Sequence, residues 1–349
     1  MTLRVIIYRL GVIPLLLLLC ILAACSQQDL DQEEQGMVSL KVLASPGTKA
    51  GEGGTATATL PAKETNIFDL SIFIFNSNGD VIGFTSKDFP NGEPTAVDVK
   101  TRKAKGCSVY AVANAKTLNN GKSPFDGVSI LSVFKTKYLS FADAKALDNA
   151  SCLLMMGVSS NFDTSSASSA TITLKRLASR IDYTIAVNND QTTGFPIVVD
   201  SYQLRNVPIS TLFLQSDFTN NPSMPSSTTF ADFDKVSTPI PSVAAPTSAG
   251  TYYVYANTDT SNETYLDIQA HSEVQGAGPK YTVWKSNFQV KMPGNHVLPN
   301  YHYKIDIVIN GSVTGKDGGV ITTYNAYPYF SGSTLNPWQS ETDRNLDLQ

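Results

Sequence analysis

The sequence predicts a mostly β protein of two domains. Short runs alternate apolar with polar residues, and Gly, Pro, Ser, Thr and Asn interrupt them at close intervals. Long helical periods are scarce. The chain of 349 residues is long for one core and suits two domains of about 100–200 residues each.

The leader comes first. Arg4 and Arg9 precede an apolar run over residues 11–24 that ends Leu22-Ala23-Ala24-Cys25. A charged start, an apolar middle and small residues at the end make a secretory signal. The run is short of the roughly 20 apolar residues a spanning helix needs. The stretch resembles a bacterial lipobox, which implies cleavage between Ala24 and Cys25 and lipid on Cys25. Residues 1–24 are then lost, leaving 325 of the 349. The leader takes two arginines and no acid with it, so the mature chain carries 24 basic and 30 acidic residues, a net charge of −6. That balance argues against nucleic acid as a partner, which needs a clustered basic surface.

Of the four cysteines, Cys20 leaves with the leader and Cys25 carries the lipid. Cys107 and Cys152 remain, either as a disulfide of an exported protein or as two buried thiols. Their spacing does not decide between these, but Cys107 lies in an alternating strand where a small apolar residue fits.

Residues 25–36 are polar and acidic, with Asp29, Asp31, Glu33 and Glu34, and have too little apolar content to fold. They read as a tether. Residues 37–44 place Val38, Leu40, Val42 and Ala44 on one face and form the first strand. The next loop, residues 45–54, holds five residues that break strands, Pro46, Gly47, Gly51, Gly53 and Gly54, which leaves Lys49 exposed to a protease. Residues 68–75 are the clearest strand, turning at Asn76-Ser-Asn-Gly-Asp80 into residues 81–84 as a hairpin. Residues 108–113 are a further strand. Between 127 and 150 the period becomes helical, and Ser140-Phe-Ala-Asp143 resembles a capping box opening a helix through Leu147. Residues 171–187 form one long strand-like run, which carries the chain into the second half with Arg176 and Arg180 on it. That half offers strands at 198–204, 252–255, 265–270, 281–290 and 303–310. Five prolines between 219 and 250 argue against regular structure there. Residues 320–335 have strand character again, despite Pro328 and Gly332.

The chemical inventory is poor. His271, His296 and His302 are the only histidines, and no metal-ligand spacing includes them. Phosphate-binding, dinucleotide and nucleophile-elbow motifs are missing. Ser132-Val-Phe-Lys135 matches a serine–lysine pattern without its companions. No cofactor and no enzymatic activity are expected. Trp284 and Trp338 would serve either as sugar platforms or, with more weight, as packing residues.

The order of motifs is informative. After the lipobox come the alternating strand, the basic loop, Leu70-Ser-Ile-Phe-Ile-Phe-Asn76 and Val109-Tyr-Ala-Val-Ala-Asn-Ala115. Met155-Met-Gly-Val-Ser159, Leu174-Lys-Arg-Leu-Ala-Ser-Arg-Ile-Asp182, Asn206-Val-Pro208 and Asn295-His-Val-Leu-Pro-Asn-Tyr-His-Tyr-Lys304 follow. The series resembles the fimbrillins of Bacteroidales, lipoprotein pilins of the FimA/Mfa type.

That resemblance implies two tandem transthyretin-like β-sandwich domains with short helices in their loops, at residues 37–178 and 179–349. It implies an outer-membrane lipoprotein exported to the cell surface, where a trypsin-like protease cuts after the first strand. The family's cut usually follows an arginine; this chain has none between Cys25 and Arg102, and Lys49, followed by Ala50, occupies the matching place. The lipid and first strand leave, and a donor strand from residues 320–349 of another subunit fills the groove. The implied partners are other fimbrial subunits, and the implied role is a fimbrium contributing to adhesion and biofilm formation. A lipid-retaining anchor or a surface glycan-binding lipoprotein is the alternative.

Overall fold

The computed structural model describes residues 35–43, 60–92, 96–166, 169–189, 197–218, 220–240, 246–274, 281–311 and 320–328. The first half holds β1 (Gln35–Leu43), β2 (Asp69–Phe75), β3 (Val81–Asp88), β4 (Val97–Arg102) and β5 (Cys107–Ala113). The short helices α1 (Ala115–Leu118) and α2 (Leu131–Thr136), β6 (Tyr138–Ser140) and α3 (Lys145–Asn149) come next. Then follow β7 (Met155–Phe162), β8 (Ser169–Thr173) and β9 (Lys175–Arg176). The second half runs β10 (Ala178–Asn189), β11 (Ile197–Arg205), β12 (Val207–Pro208), β13 (Ser210–Leu212), β14 (Phe230–Ala231) and β15 (Thr247–Tyr255). It ends with β16 (Tyr265–Val274), β17 (Tyr281–Lys291), β18 (His302–Gly311) and β19 (Val320–Pro328). The protein is mostly β, as the alternation predicts.

The first half is one sheet folded on itself, in the order β8-β1-β4-β3-β2-β5-β7-β9. The fold line lies between β3 and β4, which share a single pairing, Gly83 with Thr101. Beyond it, β8-β1-β4 packs on the remaining five strands. Val38, Leu40, Val97, Val99 and Ile172 from the smaller layer meet Leu70, Ile72, Ile74, Val109 and Ala111 from the larger. The β2–β3 turn is fastened by Asn76, whose Oδ1 accepts from the amides of Asn78 (3.0 Å) and Asp80 (2.8 Å). The outer face of the larger layer is covered too. Phe73 and Phe75 stack into Phe125, Phe134 and Phe213, with Phe125 and Phe213 ring centroids 4.8 Å apart.

The second half stacks two sheets, β15-β10-β18-β19 and β11-β16-β17. Ile181, Ile185, Ile197, Val199, Leu266, Ile268, Ile305 and Ile307 fill the space between them. Two segments of this half reach onto the first. Phe213 and Phe218 join the aromatic cover, and Tyr253 and Tyr255 of β15 join the first core.

Three local expectations need correction. The long run 171–187 is three strands, β8, β9 and the start of β10, because its residues pair with three different neighbours. Ser140 ends β6 instead of capping a helix, and Asp143 Oδ1 takes the Ala146 amide at 2.8 Å. Strands β4 and β7 are additions. Cys107 and Cys152 are free, buried thiols.

Both corners of the first sandwich depend on a missing side chain. A Cβ on Gly83 would stand 2.9 Å from Thr101 Cβ. One on Gly157, where β7 crosses β8, would stand 2.5 Å from the Thr173 carbonyl oxygen and 2.6 Å from Ile172 Cγ2. Neither approach survives a methyl without backbone movement. Gly157→Ala is expected to cost about 1–3 kcal/mol and more than Gly83→Ala, read as a lower urea midpoint at unchanged slope.

Candidate functional site

The strand that the sequence marks as removable lies inside a sheet. β1 pairs antiparallel with β4, from Gln35 opposite Arg102 to Leu40 opposite Val97. On its other side it pairs parallel with β8, from Ser39 opposite Ser169 to Leu43 opposite Thr173. Val38 and Leu40 point inward and are fully buried, whereas Met37 is 58% exposed. Removing β1 would leave a slot with two walls, β4 and β8, and two apolar pockets in its floor. The walls do not depend on β1 alone, since β4 is tied to β3 at Gly83 and β8 lies against β7 at Gly157.

Ala24, Cys25, Lys49, Ala50 and Trp338 lie outside the described residues, as does the tail beyond Pro328. Residues 320–328 form β19, which pairs with β18 alone at the border of its sheet. Ser132 and Lys135 are both exposed on α2. Among the described residues no group of His, Cys, Asp and Glu could hold a metal ion.

Downstream of the predicted cut the chain enters a 3-10 turn, Ala62–Glu64, that plugs into the second half. The Glu64 side chain is fully buried. Its Oε1 accepts from Tyr253 Oη at 2.6 Å and from the Arg180 guanidinium at 3.3 Å. The Glu64 carbonyl accepts from Arg176 Nε at 2.9 Å. Burial lowers the Arg176 pKa to about 10, which leaves the guanidinium charged at neutral pH. Next door, Lys63 donates to the Leu147 and Asp148 carbonyls, both at 2.6 Å, and lies 4.2 Å above the Tyr253 ring.

The network continues into the second core. Arg180 Nε donates to Asp182 Oδ1 at 3.0 Å, Thr251 Oγ1 to the same oxygen at 2.6 Å, and His302 Nε2 lies 2.7 Å from Asp182 Oδ2. Asn300, fully buried with φ 64°, accepts the Arg176 amide and donates its own amide to the Ala178 carbonyl. The two motifs at 174–182 and 295–304 therefore meet at one joint. Their spacing alone did not reveal this, because the partners are more than 110 residues apart in sequence.

Burial would raise the Asp182 pKa, but hydrogen bonds from His302, Arg180 and Thr251 outweigh it and hold the carboxyl well below its usual range. A carboxylate whose folded pKa is depressed stabilises the fold above its unfolded pKa of about 3.9, and that stability is lost as pH falls. Asp148, raised by burial, works in the opposite sense. Asp182→Asn is therefore expected to be less stable than the parent at pH 7 and to lose less further stability between about pH 4 and pH 2. Glu64→Gln removes the buried anion that pairs with half-buried Arg180 and lies near buried Arg176, and is expected to cost about 3 kcal/mol. Urea unfolding across pH checks both.

The model of the major fimbrial subunit protein (FimA) family matches residues 37–197. Among solved structures, a candidate cell adhesion protein of Parabacteroides distasonis superposes with a TM-score of 0.61 at 19% identity, over 85% of this chain and 96% of that one. A fimbrilin (FimA) of Porphyromonas gingivalis gives 0.52 at 14%, over 80% and 91%. A fimbrial assembly protein of P. distasonis gives 0.50 at 19%, over 84% and 95%. No curated protein matches the chain. At these identities the superpositions speak for a common fold, and the family model speaks for descent. Over residues 37–197, a little under half of its length, the chain is thus similar to the major fimbrial subunit (FimA) family, as the resemblance to fimbrillins of the Bacteroidales implies.

Proposed function

We propose that the chain is a structural subunit of a surface fimbrium, assembled by replacing β1 with a strand from another subunit. The observation that supports this most is the place of β1 between β4 and β8. The lipobox at Cys25 brings the precursor to the outer membrane. A protease cuts the loop between Lys49 and Ala50, the lipid leaves with residues 25–49, and a slot opens. An extended segment can fill it by β-augmentation, satisfying both ladders and burying alternate side chains.

The C-terminal sequence suits that role. Leu346 and Leu348 have the spacing of Val38 and Leu40, and Glu341 precedes Leu346 by the five residues that separate Glu33 from Val38. In its own subunit β19 has one ladder partner, β18, whereas a strand in the slot has two. Each backbone bond nets about 0.5–1.5 kcal/mol, and each re-buried Val or Leu adds about 1.5–3 kcal/mol. Filling the slot is downhill for that reason. A slow off-rate then holds the fibre together without covalent links.

The partners in this account are other fimbrial subunits, and the fibre stands on the cell surface, where adhesion is its expected contribution. Lysine in place of arginine at the cut requires a protease that accepts it. Intact mass and N-terminal sequencing of the surface protein test this directly. A start at Ala50 without lipid is the expected result. A start at lipidated Cys25 would overturn the shaft role and leave a lipid-retaining anchor. Leu346→Asp with Leu348→Asp is expected to abolish polymers of the cut protein with its circular dichroism unchanged. Undiminished polymers would remove the tail as donor.

A further inference from the structure

β1 is not walled evenly on its two sides. Its antiparallel ladder with β4 runs from Gln35 to Leu40, which stands opposite Val97, the first residue of β4. Its parallel ladder with β8 runs from Ser39 to Leu43. Among the described residues, Ser39 and Leu40 alone stand in both ladders. The slot is therefore staggered. β4 lines the half at which β1 enters, and β8 lines the half nearest the loop 45–54.

The two halves hold β1 differently. The β4 half has antiparallel bonds and the fully buried side chains of Val38 and Leu40. The β8 half has parallel bonds, which are slightly weaker per residue. It also ends beside the loop that the proposed cut opens, and a strand frays from a free end. After that cut, peeling of β1 from β8 comes before its release from β4.

What the peeling uncovers is held in shape. β8 is the last strand of its sheet, with β1 as its ladder partner, so the edge bared at Thr171–Thr173 presents N–H and C=O groups ready for another strand. The same three residues are the part of β8 that is fixed from behind. Ile172 is buried in the first core, and Leu174, next but one, is buried with it. Thr173 O and Ile172 Cγ2 press on Gly157 of β7, 2.5 Å and 2.6 Å from where a Cβ would stand. Lys175 and Arg176 then pair with Met156 and Met155 of β7.

We infer that the β8 edge Thr171–Thr173 is a landing site for an incoming strand. An extended segment pairs there, parallel to β8, while β1 is still held by β4, and then displaces β1 toward Gln35. The inference rests on the reading of β1 as the strand that is replaced, and it adds an order of events in which arrival precedes departure. The slot is never empty along its whole length. Its apolar floor under Val38 and Leu40 passes from one strand to the next without meeting water.

The test uses the mature chain with a fluorophore on Cys25 in place of lipid, the buried Cys107 and Cys152 being out of reach, and with a sequence-specific protease site in the loop 45–54. After the cut, release of the labelled fragment is timed against rising concentrations of two synthetic peptides. One spans residues 35–43 and the other stops at Leu40. The longer peptide is expected to speed release by about tenfold, rising with its concentration, and the shorter by less than about twofold. Gly157→Ala is expected to abolish the acceleration. Val112→Ala, in the aromatic cover on the other side of the larger layer, is expected to keep it while lowering the urea midpoint. Release at one rate whatever the peptide would leave replacement of β1 standing and overturn the landing site. Equal acceleration by the shorter peptide, or full acceleration in Gly157→Ala, would overturn it as well. Retention of the fragment at every concentration of either peptide would sink replacement itself, and the landing site with it.

Discussion

A strand inside a sheet has every backbone N–H and C=O aimed at a neighbour on one side or the other. β1 meets that requirement with β4 and β8, which are otherwise unconnected to each other in the sheet. The rest of the first half is arranged around this constraint. The layer β8-β1-β4 supplies inward residues to one core, and its two outer members are fixed to the opposite layer where glycines let backbones come close. A slot whose walls are anchored independently of its occupant is already the right width for another strand. Ordering loose walls at the moment of binding would consume part of the gain.

The joint between the halves solves a different problem. If the loop after β1 is cut as proposed, whatever follows becomes a new end, and new ends fray. Glu64 prevents that by carrying a buried carboxylate into a pocket of two arginines and a tyrosine. A buried ion cluster is weak as a source of stability compared with apolar packing, but it tolerates few arrangements. Here it fixes one orientation of the 3-10 turn against β10 and β15. Aromatic packing from Phe213 and Phe218 adds the apolar part of the same junction.

Much of this was legible in the chain, and what was legible was local. The β2–β3 hairpin is written into Asn76, Gly79 and the apolar run before them. The inward face of β1 follows from the two-residue spacing of Val38 and Leu40. β4 alternates as well, Val97, Val99 and Thr101 inward, but charged residues fill its other face, and it did not stand out. β7 was hidden for a non-local reason. Its Gly157 is a poor strand former, and its presence is dictated by a carbonyl on β8. The joint was invisible because Glu64, Arg176 and Asn300 have no local relation to one another. The lipobox-like leader, the proposed cut and the tail beyond Pro328 are the reverse case, read from sequence alone because they lie outside the described residues.

The two thiols have a consequence for the setting in which such a protein works. Both are buried and unpaired with one another. Burial raises the pKa of each, that of Cys152 to about 12. Thiolate is the reactive form in oxidation and disulfide exchange, and at neutral pH these sites hold almost none. The described fold therefore holds together without a disulfide between these two cysteines, and neither offers much thiolate for exchange at neutral pH.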